Sequence, residues 1–595
     1  MTGVKRIPYW KKKRKKGKMD GTKKTIKPAL AAVAAAVCAA CAAQGKPKAV
    51  VFMLDGCRAD AIENAAAPNM RKLMDGKWQE GYRCAWSLSA QTVPDAISSS
   101  APNHVAIATG VTTAKNCVTN LGVQMSQCDY KKYPSWLVRV AEADPSVRAL
   151  FMYGWPADER ICPHPRVEAV PGSAVAGKGL IARAGVPCAK DVANGAEFAR
   201  RLSTEKAPDA AMIYLDLPDH AGHGYFGGEG AGFYPYRTSY LKSIAICDAI
   251  IGKCMDAIAA RPSFKDEDWM IVITADHGGY SNTHGLLGGH ATSVPLLVSS
   301  RGVKQGRVPG TPKNYDAAPT VLRHFGIDVS GFDLDGKAVG GEVAQERTRP
   351  LAEGLAAYFT FDGKKPSNGA AAGPSAVLRG RTKSGAAGGI LEKCLIVANG
   401  AKGAPGGVLL KGSEALKFEN GADFAMTMWV RMDAPQKADA LIFGNKDWSS
   451  GNNPGIALCA SKCTEYVKNR GVVFNCVTPW GRKRIDIGTY DVEYGKWVFY
   501  AIVRGSDGVA RLYQGAPDGT LYFISEDVRD IKLETSLPFH IGQDGTGRYG
   551  ATFNGAVDDF ALWTRALSHG DVRRIYEVGR KGLPLGDLLK GSPLP

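Results

Sequence analysis

From Lys48 to about Gly340, short apolar runs alternate with longer segments of helical periodicity, the pattern of a parallel sheet covered by helices on both faces. Four runs, residues 49–54, 149–153, 211–215 and 270–274, have the length of sheet-core strands. Three of them lead into an aspartate: Asp55 after the first, Asp219 after the third and Asp276 after the fourth. In open α/β sheets the binding crevice lies outside the carboxyl ends of the strands, so these carboxylates stand where a site is expected. Between Gly340 and Leu355 the pattern changes to glycine-rich sequence with short alternating strands and no long helical period, which predicts an all-β module. There Phe424, Met426, Met428 and Val430 share one face of a half-buried strand, and residues 496–503 are apolar on both faces, as the middle of a sandwich requires. The predicted organisation is an α/β unit at 44–345, a linker at 346–355, a β-sandwich at 356–580 and a tail at 581–595. Residues 364–387 read as a loop inside the sandwich.

A length of 595 residues already implies two or three domains. The formal charge of +18 suggests a polyanion partner until its distribution is considered. Residues 1–27 hold twelve Lys and Arg against Asp20 alone, leaving +7 for the rest. An apolar stretch at 28–38 follows, shorter than the roughly 20 residues that cross a bilayer, and then Ala40-Cys41-Ala42 offers an A-x-A cleavage site. Residues 1–43 therefore predict a signal peptide and an exported chain, periplasmic, cell-surface or extracellular, beginning near Ala43 or Gln44. Lipid attachment at Cys41 is the alternative, since residues 37–40 loosely resemble a lipobox. No nucleic-acid-binding arm is expected in the mature chain. Export would permit oxidation of the remaining cysteines. Cys117 with Cys128, and Cys162 with Cys188, enclose loops that suit bridges, whereas Cys247 and Cys254 share one apparent helix and read equally as buried thiols.

The chemistry lies in an ordered set: Asp55, then Ser100-Ala101-Pro102-Asn103-His104, then Asp219 with His223, then Asp276-His277, then His284. Each has a plain explanation, such as a polar turn after a strand for Asp276-His277-Gly278. Asp219 and His223, four apart on a helical turn, would face one ion together, or form a surface ion pair. His104, His220 and His290 read equally as packing residues, and His290 competes with His284 as the last ligand. Together the set suits two divalent ions, most simply Zn²⁺, clamping the oxygens of an in-line displacement and activating a serine hydroxyl.

In that order the motifs resemble the alkaline phosphatase superfamily, and within it the nucleotide pyrophosphatase/phosphodiesterase branch, over about residues 48–336. The resemblance is carried by Asp55-Gly56, the Ser100 to His104 turn, Pro218-Asp219 to Gly222-His223, Asp276-His277-Gly278, His284-Gly285, Asp316 to Thr320, and Asp335-Gly336. It implies one metal held by Asp219, His223 and His284, and another by Asp55, Asp276, His277 and the Ser100 oxygen. It further implies Ser100 as nucleophile through a phosphoserine, Asn103 as donor to a phosphoryl oxygen, and a phosphate-ester substrate. Serine stands where the phosphodiesterase branch usually has threonine, which leaves monoesters open as substrates. His104 stands where sulfatases carry arginine, which disfavours sulfate esters. The inserted domain of phosphoglycerate mutase relatives has little room between His104 and Asp219.

The second module resembles laminin-G/concanavalin-like sandwiches through residues 358–363, 424–430, Gly495-Lys496-Trp497, Phe553 to Asp559 and Arg565-Ala566-Leu567-Ser568. The resemblance implies a glycan or cell-surface ligand. Trp429 and Trp497 could stack on sugar or be buried in the core. The rival to an enzyme is an adhesion protein whose first domain is inactive, against which stands the presence of every expected ligand.

Overall fold

The computed structural model describes residues 45–590 apart from 120–121, 173–186, 227–231, 236, 286–288, 344–348, 372, 399–404, 413–415, 437–438, 462–470, 479–483, 490–492, 516–518 and 552. The expected signal peptide and Cys41 lie outside the described residues. No helix among the described residues is long and apolar enough to cross a membrane.

The first domain is built on eight strands: β1 (Lys46–Leu54), β2 (Arg83–Gln91), β3 (Ala149–Tyr153), β4 (Val167–Pro171), β5 (Ala210–Leu215), β6 (Glu267–Ala275), β7 (Ser293–Ser300) and β8 (Gly306–Arg307). They lie in the order β4-β3-β5-β1-β6-β7-β2-β8. The β4-to-β6 portion is parallel, and β7 runs antiparallel to both β6 and β2. The inner strands β1, β5 and β6 are buried almost from end to end, which is why each reads as a continuous apolar run. Helices Pro187–Ser203 and Thr238–Ala259 pack on each other over the sheet, as do Trp136–Ala143 and Ala317–His324.

Register positions the site. Leu54 pairs with Leu215 on one side and with Ala275 on the other, so Asp55, Asp216 and Asp276 emerge together from three neighbouring strands.

The second domain is a sandwich of a seven-stranded and an eight-stranded sheet. Phe424, Met426, Met428 and Val430 of the strand Phe424–Met432 face the inter-sheet core with Val498, Tyr500 and Ile502 of Trp497–Arg504. The opposite face of these strands is also covered. Trp429, Phe499, Ala501 and Val503 join a core that continues through the helix His569–Arg580 into the first domain.

One expectation needs correction and two gain detail. Residues 364–387 contain strands Ser375–Arg379 and Lys383–Ala387, edge strands whose exposed positions hid the alternation. The all-β module ends in a helix, His569–Arg580, opened by a capping box between Ser568 and Asp571 and burying Val572, Ile575, Tyr576 and Gly579 at helical spacing. The expected tail continues as the helix Leu585–Leu589, with Leu585 and Leu588 buried. The cysteine pairs find no support either. Cys117, Cys128 and Cys162 are free thiols, the Cys162 sulfur lies 3.1 Å from the Ser135 hydroxyl, and the side chain of Cys188 lies outside the described residues.

Candidate active site

Ser100 is the first residue of the helix Ser100–Thr109, after an extended Ser99 and before a left-handed Gly110. Ser98 and Ser99 are buried, whereas the Ser100 hydroxyl lies 3.4 Å from Asp55 Oδ2 and 3.2 Å from His277 Nε2. Its hydroxyl thus reaches the cluster directly. Its place at a helix N-terminus also points unpaired backbone N–H groups toward any anion bound there.

The carboxylates and imidazoles converge as the motif order implied. Asp219 Oδ1 lies 3.4 Å from His223 Nε2 and 3.7 Å from His284 Nε2. His277 Nε2 lies 3.3 Å from Asp55 Oδ1 and 3.2 Å from Asp276 Oδ2. Donor atoms of Asp219, His223 and His284 form one candidate cation site, and those of Asp55, Asp219 and His277 another. Gly56 is needed here because its φ of 66° is left-handed and a Cβ would stand 2.8 Å from the Asp219 Cα.

The hydrogen bonds fix which atoms are free. His223 Nδ1 donates to Asn282 O at 2.9 Å, His277 Nδ1 to Gly278 O at 2.7 Å and His284 Nδ1 to Ser98 O at 3.2 Å. Each ring is thereby oriented with its Nε2 lone pair toward the carboxylates, the arrangement typical of metal-ligating histidines. Burial pushes all three imidazoles down, His284 to about 3, so they are neutral as ligands must be. Asp55 Oδ1 and Asp219 Oδ1 are buried and accept no hydrogen bond. Burial raises both carboxyls well above their usual range, and neighbouring aspartates add to the effect. Crowded, orphaned carboxylate oxygens facing neutral imidazoles fit divalent cations.

His284 rather than His290 completes the set. His290 lies in the turn Gly289–Ala291, is buried, and contributes to no candidate cation group among the described residues. His220 pairs with Asp216 at 3.0 Å and is pushed up to about 9 against burial by that partner.

Asn103 sits on the inner side of the nucleophile turn. It has no exposed surface, one N–H of its amide donates to Ser99 O at 2.9 Å, and its carbonyl accepts from Val93 N at 3.1 Å and Asn314 Nδ2 at 3.0 Å. These bonds brace the turn from inside.

Residues 49–286 match the family described as type I phosphodiesterase / nucleotide pyrophosphatase. Residues 404–573 match the concanavalin A-like lectin/glucanases superfamily. No curated protein matches the chain. Similar solved structures include a protein in the alkaline phosphatase superfamily from Vibrio parahaemolyticus, at 16% identity over 51% of this chain and 72% of that one, TM-score 0.37. Domain 4 of AbnA, a GH43 extracellular arabinanase from Geobacillus stearothermophilus, matches at 18% identity over 37% of this chain and 98% of that one, TM-score 0.29. The receptor binding domain of a botulinum neurotoxin C/D mosaic serotype matches at 14% identity over 38% of this chain, TM-score 0.29, and this chain spans about half of it, 52%.

Around this candidate centre stand residues whose roles the motifs did not disclose. His104 is fully buried, with Nδ1 donating to Asp158 Oδ1 at 2.8 Å and Nε2 to Asp276 Oδ2 at 3.2 Å. Burial disfavours its charge, but the two carboxylates outweigh burial and hold it up at about 10, so it is an imidazolium that neutralises and orients Asp276. Although its donor atom also falls within a candidate cation group with Asp55 and Asp276, a protonated ring offers no lone pair. Tyr214 donates to Asp55 Oδ2 and lies 2.9 Å from Asp216 Oδ1. A histidine in the nucleophile helix was the one legible sign of this layer; Asp158, in the 3₁₀ turn Pro156–Ile161, gave none.

Proposed function

We propose that the chain is an exported, metal-dependent phosphodiesterase that works through a phosphoserine on Ser100. The observation that carries this reading is the convergence of three neutral Nε2 atoms and two orphaned carboxylate oxygens around the Ser100 hydroxyl. Asp219, His223 and His284 would hold one ion, and Asp55, Asp276 and His277 a second, most simply Zn²⁺ given the mixed oxygen and imidazole donors. When bound, such ions supply charge stabilisation for phosphoryl oxygens and make a hydroxyl more acidic.

The chain's own residues supply placement. Ser100 Oγ forms the bond to phosphorus while the phosphorus–oxygen bond to the leaving alcohol breaks, and the hydroxyl proton passes to solvent. Water then forms a new phosphorus–oxygen bond as the seryl ester breaks, returning the serine. The N-terminal amides of the helix Ser100–Thr109 face the charge on the transferring group. Diester substrates are favoured by the family match of residues 49–286.

Purified full-length protein should contain divalent metal, hydrolyse bis(p-nitrophenyl) phosphate faster than p-nitrophenyl phosphate, lose both activities on chelation and regain them with Zn²⁺. Turnover indifferent to exhaustive chelation would refute the reading, as would no turnover of either ester by metal-loaded protein. Export is proposed on the basic head, apolar stretch and Ala40-Cys41-Ala42 alone. Mass spectrometry of the exported chain should find a new N-terminus near Ala43 or Gln44, and an intact Met1 on exported protein would contradict it.

A further inference from the structure

The sandwich does more than sit beside the phosphodiesterase domain. Its edge strand Leu521–Asp527 lies against two elements of the first domain, the helix Ala59–Asn64 and the turn Gly289–Ala291. Each is the immediate support of a ligand segment. The helix follows Asp55 by four residues, and Arg58 between them is buried, grips Asp60 through both nitrogen arms and donates to Phe233 O at 2.7 Å and Gly279 O at 3.1 Å. The turn holds the Asp276-His277-Gly278 segment through Gly278 N to Ala291 O at 2.9 Å. Gly56 N donates to Asp276 Oδ1 at 3.0 Å, joining the two segments to each other.

The contact is polar and buried at its centre. The Ser525 hydroxyl meets that of Ser293 at 2.9 Å, Arg511 on the neighbouring strand reaches Ser89 Oγ at 2.9 Å, and Arg307 reaches Asp507 at 2.9 Å. At the end of the helix, Glu63 faces His569 at 3.3 Å and Arg573 at 3.8 Å. Tyr513 and Phe523 pack on His569 in the continuous core. The interface thus braces the two segments that carry Asp55 and Asp276-His277.

We propose that the sandwich is a positioning element of the metal centre, with Ser525 and Arg511 at its working contact, so that metal affinity depends on a surface of the second domain. The proposal rests on the metal-site reading above. Its test is zinc binding by full-length protein, measured by competition with a chromophoric chelator. Ser525→Arg places a cation opposite Arg511, its cross-strand partner, and wedges the contact; Arg511→Ala removes reach instead of adding bulk. Leu441→Ala is the control, since Leu441 packs with Trp448 and Val473 in a separate cluster of the other sheet.

At equal folded fraction by near-ultraviolet circular dichroism, both contact variants should weaken zinc about tenfold or more, the range typical of groups that orient ligands. The control should stay within about twofold of wild type on the same grounds. At saturating zinc, KM should be unchanged. Contact variants that bind zinc as tightly as wild type would overturn the proposal, as would a control that weakens it equally. A wild-type protein that binds no zinc would instead overturn the metal reading itself, and the proposal with it.

Discussion

Replacing Ser100 with alanine is expected to lower kcat by on the order of 10⁴-fold or more while leaving metal content and folding unchanged. The substitution removes one hydroxyl from the first position of a helix, where alanine is well tolerated, and the N-cap position remains with Ser99. No buried partner is orphaned by it, because the hydroxyl's neighbours are Asp55 and His277, whose own partners include Tyr214 and Gly278. What disappears is the atom that forms the covalent bond. Acid quenching during turnover, followed by peptide mass spectrometry, should find phosphate on Ser100 in wild type and none in the variant. Ser99→Ala, altering a buried neighbour that faces none of the ligands, should keep most of the activity. Hydrolysis by Ser100→Ala within tenfold of wild type would remove this serine from the reaction.

Distance along the chain from Ser100 to Pro102, Asn103 and His104 singles it out among three adjacent serines, and exposure in the fold singles out the same one. Asp55 and Asp276 were equally legible, because a buried parallel strand is a continuous apolar run and its end is marked by the first polar residue; after β5 that residue is Asp216, and Asp219 lies one turn further on, in the helix Leu217–Gly222. Motif order implied their convergence, but its physical cause is strand order, which no local pattern encodes: β1 lies between β5 and β6. The bracing of Asn103 was not legible either, because its carbonyl is held by Val93 and Asn314, which lie in other segments.

The strand Trp497–Arg504 is the most instructive case in the second domain. Its apolar residues on both faces predicted a central strand, and the two faces do serve two cores: Val498, Tyr500 and Ile502 the inter-sheet core, Phe499, Ala501 and Val503 the layer shared with the first domain. The second core was invisible because its other side is contributed by distant sequence. Trp429 follows from the same geometry. It packs against Phe499 and Tyr576 instead of offering a face to sugar, while Trp497 donates to Gly388 O at 3.2 Å with Arg431 over its ring.

Asp55→Asn should act in opposite directions on the metal-loaded and metal-free protein. Asp55 contributes to more than one candidate cation group, so its loss should weaken metal binding by more than about 100-fold, beyond the usual cost of losing an orienting partner. Turnover should fall with it. Without metal the sign reverses. Burial raises the Asp55 carboxyl well above its usual range, with the charges of Asp276, Asp219 and Asp216 adding to the effect, so the folded protein holds that proton more tightly than the unfolded chain does. Stability of the metal-free form therefore falls as pH rises from the unfolded carboxylate value, about 3.9, through the raised folded one. At neutral pH an asparagine escapes that penalty, and its geometry is accommodated. Its carbonyl can still accept from Tyr214, while its amide occupies the place of the orphaned Oδ1, 3.3 Å from His277 Nε2, whose lone pair is free because Nδ1 carries the proton to Gly278 O. Scanning calorimetry in chelator should show the variant melting about 1–3 °C above wild type, the shift expected for roughly 1 kcal/mol in a domain of this size. With zinc present the order should invert, since only wild type gains binding free energy. A variant less stable than wild type in both conditions would show that Asp55 is a structural hydrogen-bond acceptor and not a carboxylate held in readiness for a cation.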